Sequence, residues 1–248
     1  KTVTAAGLRE KREIQNKTGL RYKAAREGSG KPHREDAEDP RETVRRWRTA
    51  GTEELAAAAE SLCRRVHGDG VLLRGLLEIG NYCRRDCRYC GIRRSNRKVR
   101  RYRLGEEEIK QAVREGYARG IRTFVLQAGE VPFWDQRAAA RITGWIKDYT
   151  AGEAAVTLSL GIKSRRKYAE LRRAGADRYL LRFETADPQL HRYLRGGCSL
   201  ERRLRALEEL RELGFQLGTG YMVGLPGETE ETREANALLT RRLEADMA

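Results

Sequence analysis

No stretch of this 248-residue chain runs to about 18 consecutive apolar residues, so nothing in it reads as a membrane span. Nor does it open with the charged, apolar, then small-residue pattern of a secretory leader. Cysteines number five, an odd count that yields no disulfide framework and argues for a reducing cytoplasm rather than secretion. Negative charge is in short supply: 36 Asp and Glu against 51 Lys and Arg leave a formal net charge of +15. That excess is mainly arginine spread along the whole length, which reads as a solvated basic surface in preference to a nucleic-acid interface. A basic rim also steers acidic partners or anionic substrates towards a cleft. The chain starts at Lys1, stops at Ala248 and reads as a fragment.

Residues 1–40 have too few branched apolar side chains to offset the entropy of ordering, and they read as a disordered or loosely helical basic segment. Residues 41–248 read as one domain, with one or two helices expected between Glu42 and Val66. Strands are then expected at Val71–Ile79, Arg122–Gln127, Ala154–Leu160, Ala176–Phe183 and Phe215–Val223. Helices are expected between them at Gly105–Gly120, Ala138–Tyr149, after Ser164 and after Ser199, with a last one at Thr229–Glu244. Five strands separated by helices predict repeated right-handed βαβ units on a parallel sheet. An open doubly wound sheet and a barrel share that rhythm. Polar residues recur after every strand, on the face where a (β/α)8 barrel gathers its active site. The expected fold is therefore α/β, of TIM-barrel type, truncated after about five strands. Such a chain is expected to leave the edge of its fifth strand exposed.

Cys63 and Cys198 stand alone and read as ordinary semi-buried thiols. Cys83, Cys87 and Cys90 form a CxxxCxxC cluster. Structural zinc takes four ligands, and no fourth Cys or His is close: His67 lies upstream and His191 far downstream. A cubane iron–sulfur cluster held by three thiolates leaves one iron open, and an open position is what chemistry needs, as opposed to structure. On these residues alone a basic zinc or nucleic-acid binding module stands beside an iron–sulfur enzyme.

The CxxxCxxC spacing, with Tyr89 before the last cysteine, resembles the radical S-adenosylmethionine (radical SAM) superfamily. The segments LRGLLEIGNYCRRDCRYCGIRRSN, GYARGIRTFVLQAGE, AGADRYLLRFETADPQLHRYLR and MVGLPGET follow in order and resemble the HydE family of hydrogenase maturases, from about Val71 onward. The biotin synthase and methylornithine synthase families are relatives that fit these segments less well and supply the alternative substrates. The resemblance implies an anaerobic, cytoplasmic enzyme carrying a 4Fe–4S cluster on Cys83, Cys87 and Cys90. It would cleave S-adenosylmethionine reductively to a 5′-deoxyadenosyl radical, in assembly of the FeFe-hydrogenase active-site cluster. For S-adenosylmethionine it implies Tyr89, Met222 and Gly224 near the adenine, and Gly129 and Glu130 at the methionine amine. Glu184 would meet the ribose hydroxyls, and Arg203 the methionine carboxylate.

It also implies a substrate cavity lined by Arg182, Thr157 and Gln127. Arg182 closes an apolar strand, so its charge is expected in a buried mouth. The implied substrate is a small or organometallic molecule, attacked at sulfur in a cysteine-bound iron carbonyl/cyanide precursor. The implied partners are an acidic electron donor such as ferredoxin or flavodoxin and the other hydrogenase maturases. Arg93, Arg94, Arg97, Arg100, Arg101 and Arg103 read as a solvated face that would favour docking of that donor. The sequence departs from the family at Val131, Ile162 and Phe183, where acidic residues and a histidine are usual. Without the resemblance, Arg203 reads as one more exposed arginine and Glu130 competes with a surface carboxylate.

Overall fold

The computed structural model describes residues 39–131 and 136–248, so the expectation for the first 40 residues lies almost wholly outside the described part. Two helices, α1 (Pro40–Thr49) and α2 (Thr52–His67), lead in. Asp39 caps the first by accepting from the Arg41 N–H, with Pro40 supplying a pre-set first turn. Gly68, at φ +69°, ends the second. The alternation that follows is β1 (Gly75–Gly80), α3 (Glu106–Ala118), β2 (Thr123–Ala128), α4 (Gln136–Tyr149), β3 (Ala155–Ser159) and α5 (Arg165–Arg173). It continues with β4 (Arg178–Leu180), α6 (Pro188–Leu194), α7 (Leu200–Glu212), β5 (Gln216–Gly218) and α8 (Glu230–Arg242).

The five strands are parallel and lie in the order of the chain, β1-β2-β3-β4-β5, as an open arc of a TIM-barrel-type α/β fold. Alternation assigns the two faces. Phe124 and Leu126 of β2, Val156 and Leu158 of β3, Tyr179 of β4 and Leu217 of β5 join one core with Ile109, Val113, Ile142, Ile146, Leu171 and Leu207 of the helices. The residues between them, such as Val125 and Thr157, line the concave side, and Thr219, just past β5, joins them. No helix among the described residues is long and apolar enough to cross a membrane.

Three expectations are corrected. The apolar runs Ala176–Phe183 and Phe215–Val223 shrink to three-residue strands. Leu181 and Phe183 are buried in or beside the core beyond the regular strand, with the Leu181 N–H donating to the Gly218 carbonyl at 2.8 Å as the strand's last bond, and an apolar pattern registers burial, not strand length. The edge of β5 is covered. The Thr219 N–H donates to the Met247 carbonyl at 2.9 Å, the Met247 N–H to the Leu217 carbonyl at 3.1 Å, and Asp246 Oδ2 accepts from the Leu217 N–H at 2.7 Å. Cys63 is exposed rather than semi-buried.

Helix α6 was not expected. At seven residues it is too short to show a period, but Asp187-Pro188 is its start signal. The Asp187 carboxylate accepts from the Gln189 and Leu190 N–H groups at 2.8 and 2.9 Å.

Candidate active site

Apart from Gln127 and Thr157, which lie within β2 and β3, the candidate site residues follow the C-terminal end of a strand or lie on a helix after one. The loop beyond β1 carries the three cysteines and is tied down on both sides. The Arg84 N–H donates to the Glu130 carbonyl at 2.9 Å, and the Arg88 N–H to the Leu194 carbonyl at 2.8 Å. Gly129 permits the first of these approaches: a Cβ there would lie 2.2 Å from the Tyr82 carbonyl oxygen and 2.7 Å from Cys83 Cβ. Arg101, expected on a solvated face, is partly buried instead. Its guanidinium donates to the carbonyls of Asn81, Ile92, Arg93 and Asn96 and so staples the loop to its own return.

The centre is Glu130, which is buried and not the surface carboxylate that competed for this position. Arg85 Nε donates to its Oε2 at 2.6 Å, and Arg195 Nη2 to its Oε1 at 3.4 Å; Arg203 Nη1 stands 4.0 Å from Oε1. Burial alone would raise the Glu130 pKa, but the Arg85 hydrogen bond and charge, with Arg203 and Arg195 behind it, hold it below the usual range. Both of its oxygens are engaged by guanidinium groups.

Cys87 is buried, and Cys83 and Cys90 are partly buried. Burial pushes the Cys87 thiol up against the pull of the Arg195 charge, and Cys90 and Cys83 lie close enough to push it further. The Arg85 N–H reaches Cys83 Sγ at 3.4 Å. Among the described residues no three His, Cys, Asp or Glu side chains converge on a single ion. Three thiols on one short loop, Cys87 within electrostatic reach of the other two, are the donor set that a three-thiolate iron–sulfur cluster takes.

Beside them sits a set of buried polar atoms without partners. Arg203 is only 4 % exposed, and its Nε and Nη1 have no hydrogen bond. Burial, and then the Arg195 charge, lowers its pKa, with Glu130 and Glu184 acting in opposition. Glu184 is buried, its Oε2 unpaired and 3.7 Å from Arg182 Nε. Its backbone sits at φ +73°, a left-handed conformation that side-chain-bearing residues seldom hold outside functional sites. Two backbone bonds keep it there: Glu184 N–H to the Gly220 carbonyl at 3.1 Å, and Met222 N–H to the Glu184 carbonyl at 2.9 Å. An orphaned buried guanidinium and an orphaned carboxylate suit a ligand bearing a carboxylate and hydroxyl groups, so these residues fit S-adenosylmethionine.

Met222 is thus tied to Glu184 by its backbone. Gly224, at φ +81°, donates its N–H to Glu228 Oε2 at 2.7 Å, at a more exposed point of the same loop.

Of the three residues expected around a substrate, Thr157 is buried with an unpartnered hydroxyl and lines a concave-side cavity of about 150 Å³ with Arg74, Val125, Leu180, Thr219 and Met247. Gln127 and Arg182 are not among that cavity's lining residues. The Arg182 side chain is 53 % exposed, so the expected buried mouth is not found: β4 ends at Leu180, and the chain beyond it turns to the rim.

Sequence reading missed Arg85, Arg195 and His191. The last is fully buried, its Nδ1 3.1 Å from the Cys198 carbonyl and its Nε2 unpartnered. Burial, followed by the Arg203 charge and then that of Arg195, lowers its pKa to about 4. The folded state therefore disfavours the imidazolium. Between pH 6.5 and about 4 the unfolded chain binds the extra proton, so stability falls as pH drops through that window. In His191→Asn, which keeps a donor towards Cys198, this contribution is expected to vanish from the pH dependence of urea unfolding.

Comparison with known proteins follows the same lines. The family model of the radical SAM superfamily matches residues 77–239. The [FeFe] hydrogenase maturase subunit HydE of Thermotoga maritima is 43 % identical over 195 residues, covering 79 % of this chain and 55 % of that protein. The 3-methylornithine synthase of Methanosarcina barkeri is 27 % identical over 184 residues, covering 73 % and 52 %. The crystal structure of a methylornithine synthase (PylB) shares the fold at TM-score 0.76 and 23 % identity, covering 83 % of this chain and 62 % of that one. The chain spans about half the length of the curated relatives it matches.

Proposed function

The chain belongs to the radical SAM superfamily, and on that premise we propose that it reductively cleaves S-adenosylmethionine in the maturation of an FeFe-hydrogenase active-site cluster. The family implies a 4Fe–4S cluster and S-adenosylmethionine. Here Cys83, Cys87 and Cys90 would hold the cluster, which when bound supplies the electron for sulfonium cleavage. The other roles belong to the protein. Arg203 binds the methionine carboxylate through its two free N–H groups, and Glu184 accepts from the ribose hydroxyls. Tyr89, Met222 and Gly224 border the adenine, and Gly129 lets the second strand's end close on the cysteine loop. Glu130 keeps three guanidinium groups in register and, with Gly129, borders the methionine amine.

Arg182, Thr157 and Gln127 would meet a small or organometallic substrate. An acidic electron donor, such as ferredoxin or flavodoxin, and the other hydrogenase maturases would be its partners in a cytoplasmic, anaerobic setting. Identity to the Thermotoga maritima maturase subunit supports the maturation role above biotin or methylornithine synthesis.

The observation that carries the reading is Arg203, a guanidinium sealed from water with two N–H groups unpaired. The test is anaerobic loading with iron and sulfide, then reduction in the presence of S-adenosylmethionine. Bound iron with sulfide and the release of 5′-deoxyadenosine are expected; uptake of zinc in their place, or a loaded chain that leaves S-adenosylmethionine intact, overturns it. In Arg203→Met, loss of one charged hydrogen-bond set worth about 1.5–3 kcal/mol should weaken S-adenosylmethionine binding roughly 10- to 150-fold by equilibrium dialysis. In the iron-free variant Glu130 keeps Arg85 and Arg195 as partners, so loss of the 4.0 Å Arg203 contact should cost little stability, offset by relief of the guanidinium's desolvation.

A further inference from the structure

Arg195 is buried, yet it belongs to none of the roles assigned above. Its Nη1 donates to the Tyr89 hydroxyl at 3.2 Å and its Nη2 to Glu130 Oε1 at 3.4 Å, while its Nε is buried without a partner. The turn that carries it, 194–198, is docked on the cysteine loop along its length. Leu194 accepts from the Arg88 N–H at 2.8 Å, and a Cβ at Gly196 would stand 3.2 Å from the Asp86 carbonyl oxygen. Arg85 Nη1 reaches Cys198 Sγ at 3.2 Å. One short segment therefore couples the loop bearing Cys87, the ring of Tyr89 and the carboxylate of Glu130.

Charge counting gives the arrangement a purpose. Arg85, Arg195 and Arg203 gather on Glu130 and Arg182 stands against Glu184, so four guanidinium groups face two carboxylates, an excess of two positive charges. A thiolate-bound cluster brings negative charge to the same place, and Cys87 lies within electrostatic reach of Arg195. Lysine could supply the charge, but its single ammonium cannot hold a phenol and a carboxylate in one plane as a guanidinium fork does.

We propose that Arg195 is a positioning residue for both cofactors: it fixes the Tyr89 ring against the cysteine loop and supplies compensating charge behind that loop. This rests on the radical SAM reading. Net charge and hydrogen bonds to sulfur set the potential of iron–sulfur clusters, so this guanidinium makes its cluster easier to reduce.

The test compares the parent, Arg195→Gln, Arg195→Lys and Tyr89→Phe after anaerobic loading. Redox titration followed by electron paramagnetic resonance gives the potential, and equilibrium dialysis gives the affinity for S-adenosylmethionine. Arg195→Gln should lower the reduced-to-oxidised ratio at a fixed potential about tenfold, equivalent to ~59 mV for one electron. It should also weaken S-adenosylmethionine binding. Arg195→Lys should restore the potential but not the affinity, and Tyr89→Phe should weaken binding with the potential unchanged.

Full iron in all three variants is part of the expectation, because the thiols are untouched; a variant that loses its cluster counts against a positioning role. A loaded Arg195→Gln with parental potential and affinity overturns the proposal. A parent chain that takes up no iron and sulfide instead overturns the reading beneath it.

Discussion

Glu130→Gln is expected to destabilise the iron-free chain by about 3–5 kcal/mol, the usual cost of removing one partner from a buried ion network. Glutamine fits the space and can still accept one hydrogen bond. It removes the carboxylate that Arg85, Arg195 and Arg203 share and leaves them facing one another, with Glu184 still acting on Arg203. Arg203 and Arg195 are almost wholly removed from water, so neither can turn to solvent without opening the ends of α7 and α6. Urea unfolding at neutral pH measures the loss. Acid is expected to reproduce part of it in the parent: folding holds the Glu130 pKa below 4.5, so its contribution stands above that pH and is lost as pH falls through the lowered value. In Glu130→Gln that contribution should be absent.

Cys87→Ala should have the opposite profile, with little effect on the fold and complete loss of the cluster. The thiol is buried and its ionisation is disfavoured without iron, so in the iron-free chain Cys87 acts as a small apolar side chain. Alanine leaves a void of only one sulfur. With two thiols remaining, iron and sulfide bound after anaerobic loading should fall to background, and no 5′-deoxyadenosine should form. Cys198→Ala should retain the cluster even though Cys198 lies against Arg85, as should Cys63→Ala at the surface. Full iron in Cys87→Ala, or its loss in Cys63→Ala, would refute the three-thiol assignment.

The cysteine spacing and the βα rhythm were legible because each depends on neighbours in sequence. The helices at Glu106–Ala118, Gln136–Tyr149, Leu200–Glu212 and Glu230–Arg242 lie within a few residues of the expected boundaries. Burial of Arg203 was also written in the chain, though local composition hid it among Arg202 and Arg205. Leu200, Arg203, Leu207 and Leu210 fall on one helical stripe, and all four are buried. A charged residue in an apolar stripe signals a buried partner or ligand.

Arg195 and Arg85 gave no comparable signal. Arg195 follows a seven-residue helix with no period to read, and the partners of Arg85, Glu130 and Cys198, are 45 and 113 positions away. Arg182 misled for a related reason. The apolar run reads as strand to its end, whereas the regular strand ends at Leu180 and pairing beyond it is broken, resuming only as the isolated Glu184–Tyr221 bridge.

The order of the sheet bears on how it is made. Each strand pairs with the one before it in the chain, β1 through β5, and no later strand is inserted between two earlier ones. On a ribosome, every new βα unit would meet a finished edge already waiting for it. Assembly can thus keep pace with synthesis. The Arg85–Glu130–Arg195–Arg203 node can close only once α7 has emerged, because Arg203 lies on that helix.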